Sequence, residues 1–192
     1  MASPPSQNKR RVLSVVLKLL ILTSIVLFSL PFIASLYKSE PGSSEESFEH
    51  YRSVNLSGLG RGTLLKIKGY STEVWVYRRS LDDIEQIKLM PEQLFRDPLS
   101  HQSQQPPDLL PRFRSYHQDY FVFIPLESQK QCQVLLDQIL SGHNGFNEVC
   151  YRGVFDTAGR ALKAHGHRQQ LNLSVPAHRW QDKDTLLLDR RL

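Results

Sequence analysis

The sequence predicts a mainly β domain that follows a single N-terminal membrane helix. Residues 12–37 are apolar except for Lys18 and a few hydroxyl groups, a run long enough to cross a hydrocarbon core of roughly 30 Å. After residue 60, short alternating and β-branched segments are separated by turn-forming residues, which is typical of antiparallel strands. The chain has 192 residues, which leaves room for one compact domain after the anchor.

The flanks of the apolar segment predict its orientation. Lys9, Arg10 and Arg11 precede it, so the positive-inside rule places the N-terminus in the cytoplasm. The domain is then expected on the far side of an inner (cytoplasmic) membrane, in the periplasm of a bacterium. A retained single-pass anchor is favoured over a cleaved signal peptide, because the run is too long and no small-x-small cleavage site follows it. The adjacent arginines leave twin-arginine export open beside the general route.

The chain divides into four predicted parts. Residues 1–11 form a cytoplasmic tail, 12–37 the transmembrane anchor, 38–60 a flexible tether and 61–192 the folded domain. The net charge is +5, but no basic stripe is interleaved with aromatic residues, so a nucleic-acid partner is not indicated. The sequence has no Ser–His–Asp arrangement, phosphate-binding loop or nucleotide fingerprint, so an enzymatic activity of its own has no support.

The first elements of the folded domain follow from local patterns. Residues 63–78 predict a hairpin, because L-L-K-I-K and E-V-W-V-Y-R-R flank a polar turn. Ser80 with Asp82 and Asp83 predicts the start of a short helix that ends near Lys88.

The later elements are predicted with weaker signals. Residues 154–160 predict a strand and a tight turn with a glycine at the special position. The other predictions are a long loop over 90–118, a buried strand over 121–125, a helical turn or two over 132–140, and strands over 171–175 and 185–188.

Three segments carry the most specific pattern in the chain. Residues 121–132 are F-V-F-I-P-L-E-S-Q-K-Q-C, residues 144–160 are N-G-F-N-E-V-C-Y-R-G-V-F-D-T-A-G-R, and residues 171–176 are L-N-L-S-V-P. In this order they resemble the Rieske iron–sulfur subunit family of cytochrome bc complexes. That family has C-x-H-x-G-C, then G-G-(aromatic)-x-C-P-C-H-G-S-x-(aromatic)-D-x-x-G-R, then L-N-L-x-V-P. The resemblance implies a Rieske-like antiparallel β-sandwich with a small inserted cluster-type subdomain over residues 126–170.

The resemblance assigns the cluster-ligand positions to residues that are not cluster ligands. In the family, two Cys and two His hold a 2Fe–2S cluster. The corresponding positions here are Glu127, Gln129, Glu148 and Tyr151. Carboxylate, amide and phenol groups are hard oxygen ligands, whereas an iron–sulfur core prefers thiolates. We therefore expect no cofactor and no resident metal, although the family carries 2Fe–2S.

The resemblance also implies a disulfide and an altered cover loop. The family's two remaining cysteines link its cluster loops, and they correspond to Cys132 and Cys150, the only cysteines in the chain. Two cysteines on the oxidising side of a membrane favour the same pairing. The proline-containing loop that shields the family's cluster corresponds to residues 163–170, which lack proline. Tyr151 and Arg152 are expected to fill the vacated volume.

Two weaker hypotheses concern metal ions. His165 and His167 lie two residues apart in a predicted surface loop, and His143 is a third possible ligand. A zinc or copper site needs three or four converging ligands, so solvated loop histidines are favoured. Glu127 and Glu148 are suited to a hard cation if they face each other, with hydrogen bonds to their own loops as the favoured alternative.

Three functions from different classes fit these features. The favoured one is a membrane-anchored Rieske-fold protein without a cluster, acting as a structural, assembly or regulatory subunit of a respiratory membrane complex. Its expected partners are the lipid bilayer and a cytochrome-containing complex, bound through a tip made of residues 129–134, 146–152 and 165–168. The alternatives are an electron-transfer subunit of a quinol–cytochrome c oxidoreductase with unusual cluster ligation, and a free periplasmic binding module. The replaced ligands argue against the first alternative, and the anchor and tether argue against the second.

Overall fold

The computed structural model of the protein describes residues 7–37, 51–69, 71–139, 142–189 and 192. The N-terminal helix and the domain that begins at the first strand form separate compact units, so each is described by itself. Helix α1 spans Gln7–Tyr37, and its segment Val12–Leu30 is long and apolar enough to cross a membrane. The hydroxyl groups of Thr23 and Ser29 donate to carbonyls of the preceding turn, which satisfies them within the helix as a lipid environment requires.

The described part of the domain contains three small antiparallel sheets of three strands each. The strands are β1 (Tyr51–Asn55), β2 (Thr63–Lys68), β3 (Glu73–Arg78), β4 (Tyr120–Phe123), β5 (Val134–Gln138), β6 (Asn144–Glu148), β7 (Val154–Phe155), β8 (His178–Trp180) and β9 (Thr185–Asp189). The sheet orders are β1-β9-β8, β2-β3-β4 and β5-β6-β7. The predicted mainly β fold after one apolar helix is confirmed at this level.

Sheet β2-β3-β4 is the middle layer, because β3 and β4 are buried on both faces. Trp75 and Tyr77 of β3 pack on one side, against β5-β6-β7. Val74 and Val76 point to the other side and pack against β1-β9-β8. This alternation follows from the two-residue period of a strand. Phe146 of β6 contacts the middle sheet, with its ring centroid 4.7 Å from that of Phe123.

The predicted hairpin and helix are confirmed. Strands β2 and β3 pair with Thr63 opposite Arg78. Helix α2 spans Leu81–Leu89, and Ser80 and Asp83 form a capping box in which each side chain accepts the other's backbone N–H. A short 3-10 turn, Glu92–Leu94, follows the helix.

Three predictions about secondary structure are wrong. Residues 132–140 were expected to be helical, but Val134–Gln138 forms β5 and pairs with β6, so tertiary pairing overrides an ambiguous apolar pattern. The tether was predicted to extend to residue 60, but Tyr51–Asn55 forms β1 and pairs with β9. The tail over residues 1–6 and the tether over residues 38–50 lie outside the described residues. A strand was predicted over residues 171–175; residues 172–175 are buried, but no strand is formed there.

Two buried arginines fix the segment between α2 and β4, which was predicted as a long loop. Arg79 and Arg114 are both fully buried. Arg79 donates to the Ser115 hydroxyl and to the carbonyls of Phe113, Gln118, Tyr120 and Thr157. Arg114 donates to the Gln105 side chain and to the carbonyls of Ala158, Gly159 and Leu173. Burial lowers the pKa of each guanidinium to about 9, and nearby Asp156 opposes that shift, so both stay charged at neutral pH.

Candidate functional site

Two loops at one end of sheet β5-β6-β7 have the same backbone geometry. We call residues 127–132 the first loop and residues 148–153 the second loop. In each, the backbone N–H of the opening glutamate donates to the carbonyl five positions later, at 2.8 Å in the first loop and 2.7 Å in the second. The residue four positions after the glutamate has a left-handed backbone, with φ 55° at Gln131 and 58° at Arg152. The two loops are therefore built on one local pattern.

The opening glutamates, Glu127 and Glu148, are buried and bind their own loops. They are 0% and 2% exposed, respectively. Each carboxylate accepts the backbone N–H groups two and three positions later. The shortest distances are 3.1 and 2.6 Å in the first loop and 2.5 and 2.9 Å in the second. The backbone donors thus stabilise two buried negative charges, as charge-assisted hydrogen bonds do. The predicted hydrogen bonding of these carboxylates to their own loops is confirmed.

The loops are joined by a disulfide between Cys132 and Cys150. The Cα atoms are 6.1 Å apart, and the bridge closes 18 positions of chain. The predicted pairing is confirmed. The Glu148 carboxylate and the two sulfur atoms all lie within 4.8 Å of one another, and they form the one group of three potential metal ligands among the described residues. Because the sulfurs are bonded to each other, they are not available as thiolate ligands.

A third segment, residues 163–170, lies over the two loops, and we call it the cover segment. Arg96 fixes its path by donating to the carbonyls of Lys163, His165 and Arg168. The Nε2 atom of His167 lies 3.5 Å from Oε1 of Glu127, within ion-pair distance for a protonated imidazole. The same imidazole makes an edge contact with the ring of Tyr151, at 5.7 Å between centroids. His167 therefore bridges the first and second loops.

Gln170 closes the cover segment against the second loop. It is 1% exposed, and its amide lies between Gly153 and Gly166. A Cβ atom at Gly153 would lie 1.9 Å from the amide nitrogen, and one at Gly166 would lie 1.7 Å from the amide oxygen. A Cβ atom at either position would displace the Gln170 amide, so the two glycines permit this close approach. Arg96 and Gln170 were missed from the sequence, and the glycines at 153 and 166 were the available signal for a tight contact.

The structure does not assemble the three histidines considered as a zinc or copper site. His143 lies instead beside α2, with Nδ1 3.4 Å from a carboxylate oxygen of Asp82. The expectation that Tyr151 and Arg152 fill a vacated volume is also wrong. Tyr151 is 50% exposed and Arg152 is exposed. The space between the loops is used by the buried carboxylates, their backbone donors and His167.

The four residues at the implied cluster positions do not fit a 2Fe–2S cluster. Both carboxylate oxygens of Glu148 already accept backbone N–H groups. Gln129 and Tyr151 are exposed, and neither offers an imidazole. A cluster of this kind needs thiolate and imidazole ligands, and this donor set contains neither. No step of a mechanism is assigned to such a group.

The fold and site define a mainly β domain with two matching, disulfide-linked loops, following one apolar helix. Comparison with known protein families finds no family that matches this chain. Comparison with curated proteins finds none that matches it either.

Proposed function

We propose that this chain is a membrane-anchored Rieske-fold protein that has no cluster. It acts as a structural, assembly or regulatory subunit of a respiratory membrane complex. One observation carries the proposal: two loops of identical pattern, linked by a disulfide, each open with a buried glutamate at a position where the resembled motif has a ligand cysteine. The apolar helix is its anchor in an inner membrane, with the N-terminus in the cytoplasm and the β-sandwich in the periplasm.

The left-handed residues of the loops support the assignment. The motifs C-x-H-x-G-C and C-P-C-H-G-S both place glycine four positions after the first cysteine. Gln131 and Arg152 occupy those positions and keep the left-handed backbone. This conformation costs roughly 1–2 kcal/mol in a residue with a side chain, so it is an unfavourable choice unless the loop geometry demands it. Descent of both loops from a glycine-containing pattern explains why the same strain occurs twice.

The replacement of thiolate by carboxylate supports a role without electron transfer. Both groups are anions that accept backbone N–H groups, so a glutamate maintains the donors of the loop in a folded arrangement. Unlike a thiolate, it does not suit an iron–sulfur core. The disulfide and the carboxylates together keep the shape of the loops without a metal. A preserved shape without redox chemistry points to binding.

The proposed binding surface is the tip, made of residues 129–134, 146–152 and 165–168. Val149 and Tyr151 lie on it, with 57% and 50% of their surfaces exposed. Exposed apolar and aromatic side chains on a rigid loop are typical centres of protein interfaces. The proposed partner is a cytochrome-containing membrane complex.

The first test is the metal content of the full-length protein purified aerobically in detergent. We expect no iron, no labile sulfide and no paramagnetic signal after reduction. Two iron atoms per chain would overturn the proposal and favour the electron-transfer alternative.

The second test is photo-crosslinking in native membranes. Gln129 is exposed on the tip, Gln169 is exposed in the cover segment one position beyond the tip, and Gln181 is an exposed control between β8 and β9. A photoreactive residue at 129 or 169 should capture one discrete cytochrome-containing complex, and one at 181 should not. If only positions within the anchor capture a partner, the tip does not dock and the function lies in the helix.

A further inference from the structure

We infer that the tip docks on an acidic face of its protein partner. This rests on the proposed function and specifies the chemistry of the partner. Four exposed cations lie in the segments that form or adjoin the tip: Lys130 in the first loop, Arg152 in the second loop, and Lys163 and Arg168 in the cover segment. We call these four residues the cationic face.

The cations of this face are not neutralised within the protein. In the described residues, none of the four makes an ion pair or lies over an aromatic ring. Two exposed arginines elsewhere in the domain, by contrast, are paired: Arg61 with Asp119 at 3.0 Å, and Arg112 with Glu92 at 3.1 Å. The cationic face therefore has charges available for a partner.

The negative charges of the same three segments lie beneath the surface. Glu127 and Glu148 are their only acidic residues, and both are buried and bound to backbone N–H groups. The cations are at the surface and the carboxylates are behind them, so an approaching partner meets positive charge first. Surface charge of one sign on a docking face steers association and selects partners of opposite sign.

A groove beside the cover segment favours a carboxylate-bearing protein over a flat lipid surface. It has a volume of about 430 Å³ and is lined by Arg96, Asp97, Lys163 and Arg168, among others. Asp97 is satisfied internally, because it accepts from the backbone of residues 101–103 and from a serine hydroxyl. The Arg96 guanidinium donates to three carbonyls of the cover segment. Lys163 and Arg168 are thus the cations left to receive an acidic side chain that enters the groove.

The rigidity of the tip supports a fixed counter-surface. The disulfide links the first two loops, and Arg96 holds the cover segment in place. A preorganised face loses less conformational entropy on binding, which favours a partner of complementary and equally fixed shape. Only two large apolar side chains, Val149 and Tyr151, are exposed in these three segments, which is little surface for insertion into a bilayer.

The test combines charge reversal with the crosslinking assay on the full chain in native membranes. The test variant is Lys163→Glu with Arg168→Glu. The matched control is Lys68→Glu with Lys183→Glu, two exposed lysines outside the three segments, with the same change in net charge. We expect the yield of the adduct from position 129 to fall about tenfold in the test variant and to stay unchanged in the control. Raising the salt concentration from about 0.1 M to about 1 M should lower the wild-type yield, because the screening length falls from about 10 Å to about 3 Å.

A soluble probe and adduct mapping identify the partner chemistry. Polyglutamate added to the membranes should compete with adduct formation, and polylysine should not. Mass spectrometry should place the crosslinked residues of the partner in a surface rich in Asp and Glu.

The outcomes separate this inference from the proposed function. A discrete adduct that is insensitive to charge reversal, salt and polyglutamate would leave the proposed docking intact and overturn the acidic partner face. An adduct on phospholipid from position 129 would identify a membrane surface instead and overturn the inference. If neither 129 nor 169 forms any adduct, the docking function and the inference both fail.

Discussion

Removal of the Glu148 carboxylate measures how strongly the second loop depends on it. The carboxylate accepts the N–H of Cys150 at 2.5 Å, of Tyr151 at 2.9 Å and of Gly153 at 3.4 Å. Hydrogen bonds to a charged group contribute roughly 1.5–3 kcal/mol each, and a buried donor without a partner costs roughly 1–3 kcal/mol. Cys150 and Tyr151 are exposed, so water replaces part of each lost hydrogen bond. We therefore count only the two shorter bonds and take less than the full sum of their energies. Glu148→Ala is then expected to lower the free energy of unfolding by about 2–4 kcal/mol.

A series of substitutions separates charge from shape. Glu148→Gln keeps one acceptor oxygen and removes the charge, so it should cost about half as much, roughly 1–2 kcal/mol. Glu85→Gln is the matched control, because its side chain is 58% exposed and its nearest cation, Lys88, is 3.9 Å away. Its effect should stay within about 0.5 kcal/mol.

The assay is urea unfolding of the full-length chain in detergent micelles, followed by tryptophan fluorescence. Trp75 is 1% exposed and belongs to the same core cluster as Phe146 and Phe155, so its emission reports on the packing under the loops. The expected order of stability is wild type, then Glu148→Gln, then Glu148→Ala. If Glu148→Gln costs no more than the matched control Glu85→Gln, the buried carboxylate does not hold the loop and the reasoning is refuted.

Three further changes test a buried histidine, the disulfide and the strained backbone. Burial lowers the pKa of His178 to about 4 from 6.5, so its contribution to stability is complete above pH 6.5 and is lost as the pH falls towards 4, by about 3 kcal/mol. His178→Phe should lack that part of the pH dependence of urea unfolding, and equal slopes in both proteins would contradict it. Thiol labelling should find no free thiol before reduction and two after it, and replacing Cys132 or Cys150 should cost roughly 2–5 kcal/mol; labelled thiols in the untreated protein would overturn the pairing. Gln131→Gly should raise the free energy of unfolding by roughly 0.5–1 kcal/mol, because Gln131 has a left-handed backbone, whereas Gln129→Gly should lower it. Thermal unfolding measures this difference, and equal effects of the two substitutions would contradict the reasoning.

Local patterns predicted the elements whose structure is decided by nearby residues. The hairpin β2-β3 and the cap of α2 at Ser80 follow from alternation and from a side chain that accepts a neighbouring N–H. The turn before Arg160 follows for the same reason, since Gly159 has φ 70° as a tight turn of this kind requires. Such features need no knowledge of the rest of the fold.

Long-range contacts decided the elements that the sequence did not predict. Val134, Leu135 and Ile139 have a spacing compatible with a helix, but pairing with β6 places the segment in a sheet. The path of residues 90–119 depends on Arg79 and Arg114, whose carbonyl partners lie up to 78 positions away. A buried arginine cannot be distinguished from a solvated one by its neighbours in sequence, because burial depends on tertiary packing.

The candidate site was predicted only in part, because several of its contacts are also long-range. The pairing of Cys132 with Cys150 and the special role of Glu127 and Glu148 followed from a motif resemblance. The contact between His167 and Glu127 joins segments that are 40 positions apart and have no shared pattern. Gln170 was missed because a glutamine in a polar stretch predicts exposure, whereas two glycines from different loops bury it.

Under the proposed function, the loops keep their shape although they lack the residues that bind a cluster. A thiolate that binds a metal and a glutamate that binds backbone N–H groups satisfy the same donors, so exchanging one for the other removes electron transfer while the tip keeps its shape. A tip that keeps its shape without its chemistry is useful only through contact with another molecule. Lys163 and Arg168 then matter more than the former ligand positions, because they are exposed and unpaired among the described residues, while Glu127 and Glu148 are hidden. On this reasoning, the loops act through the residues on their surface and not through the residues in their interior.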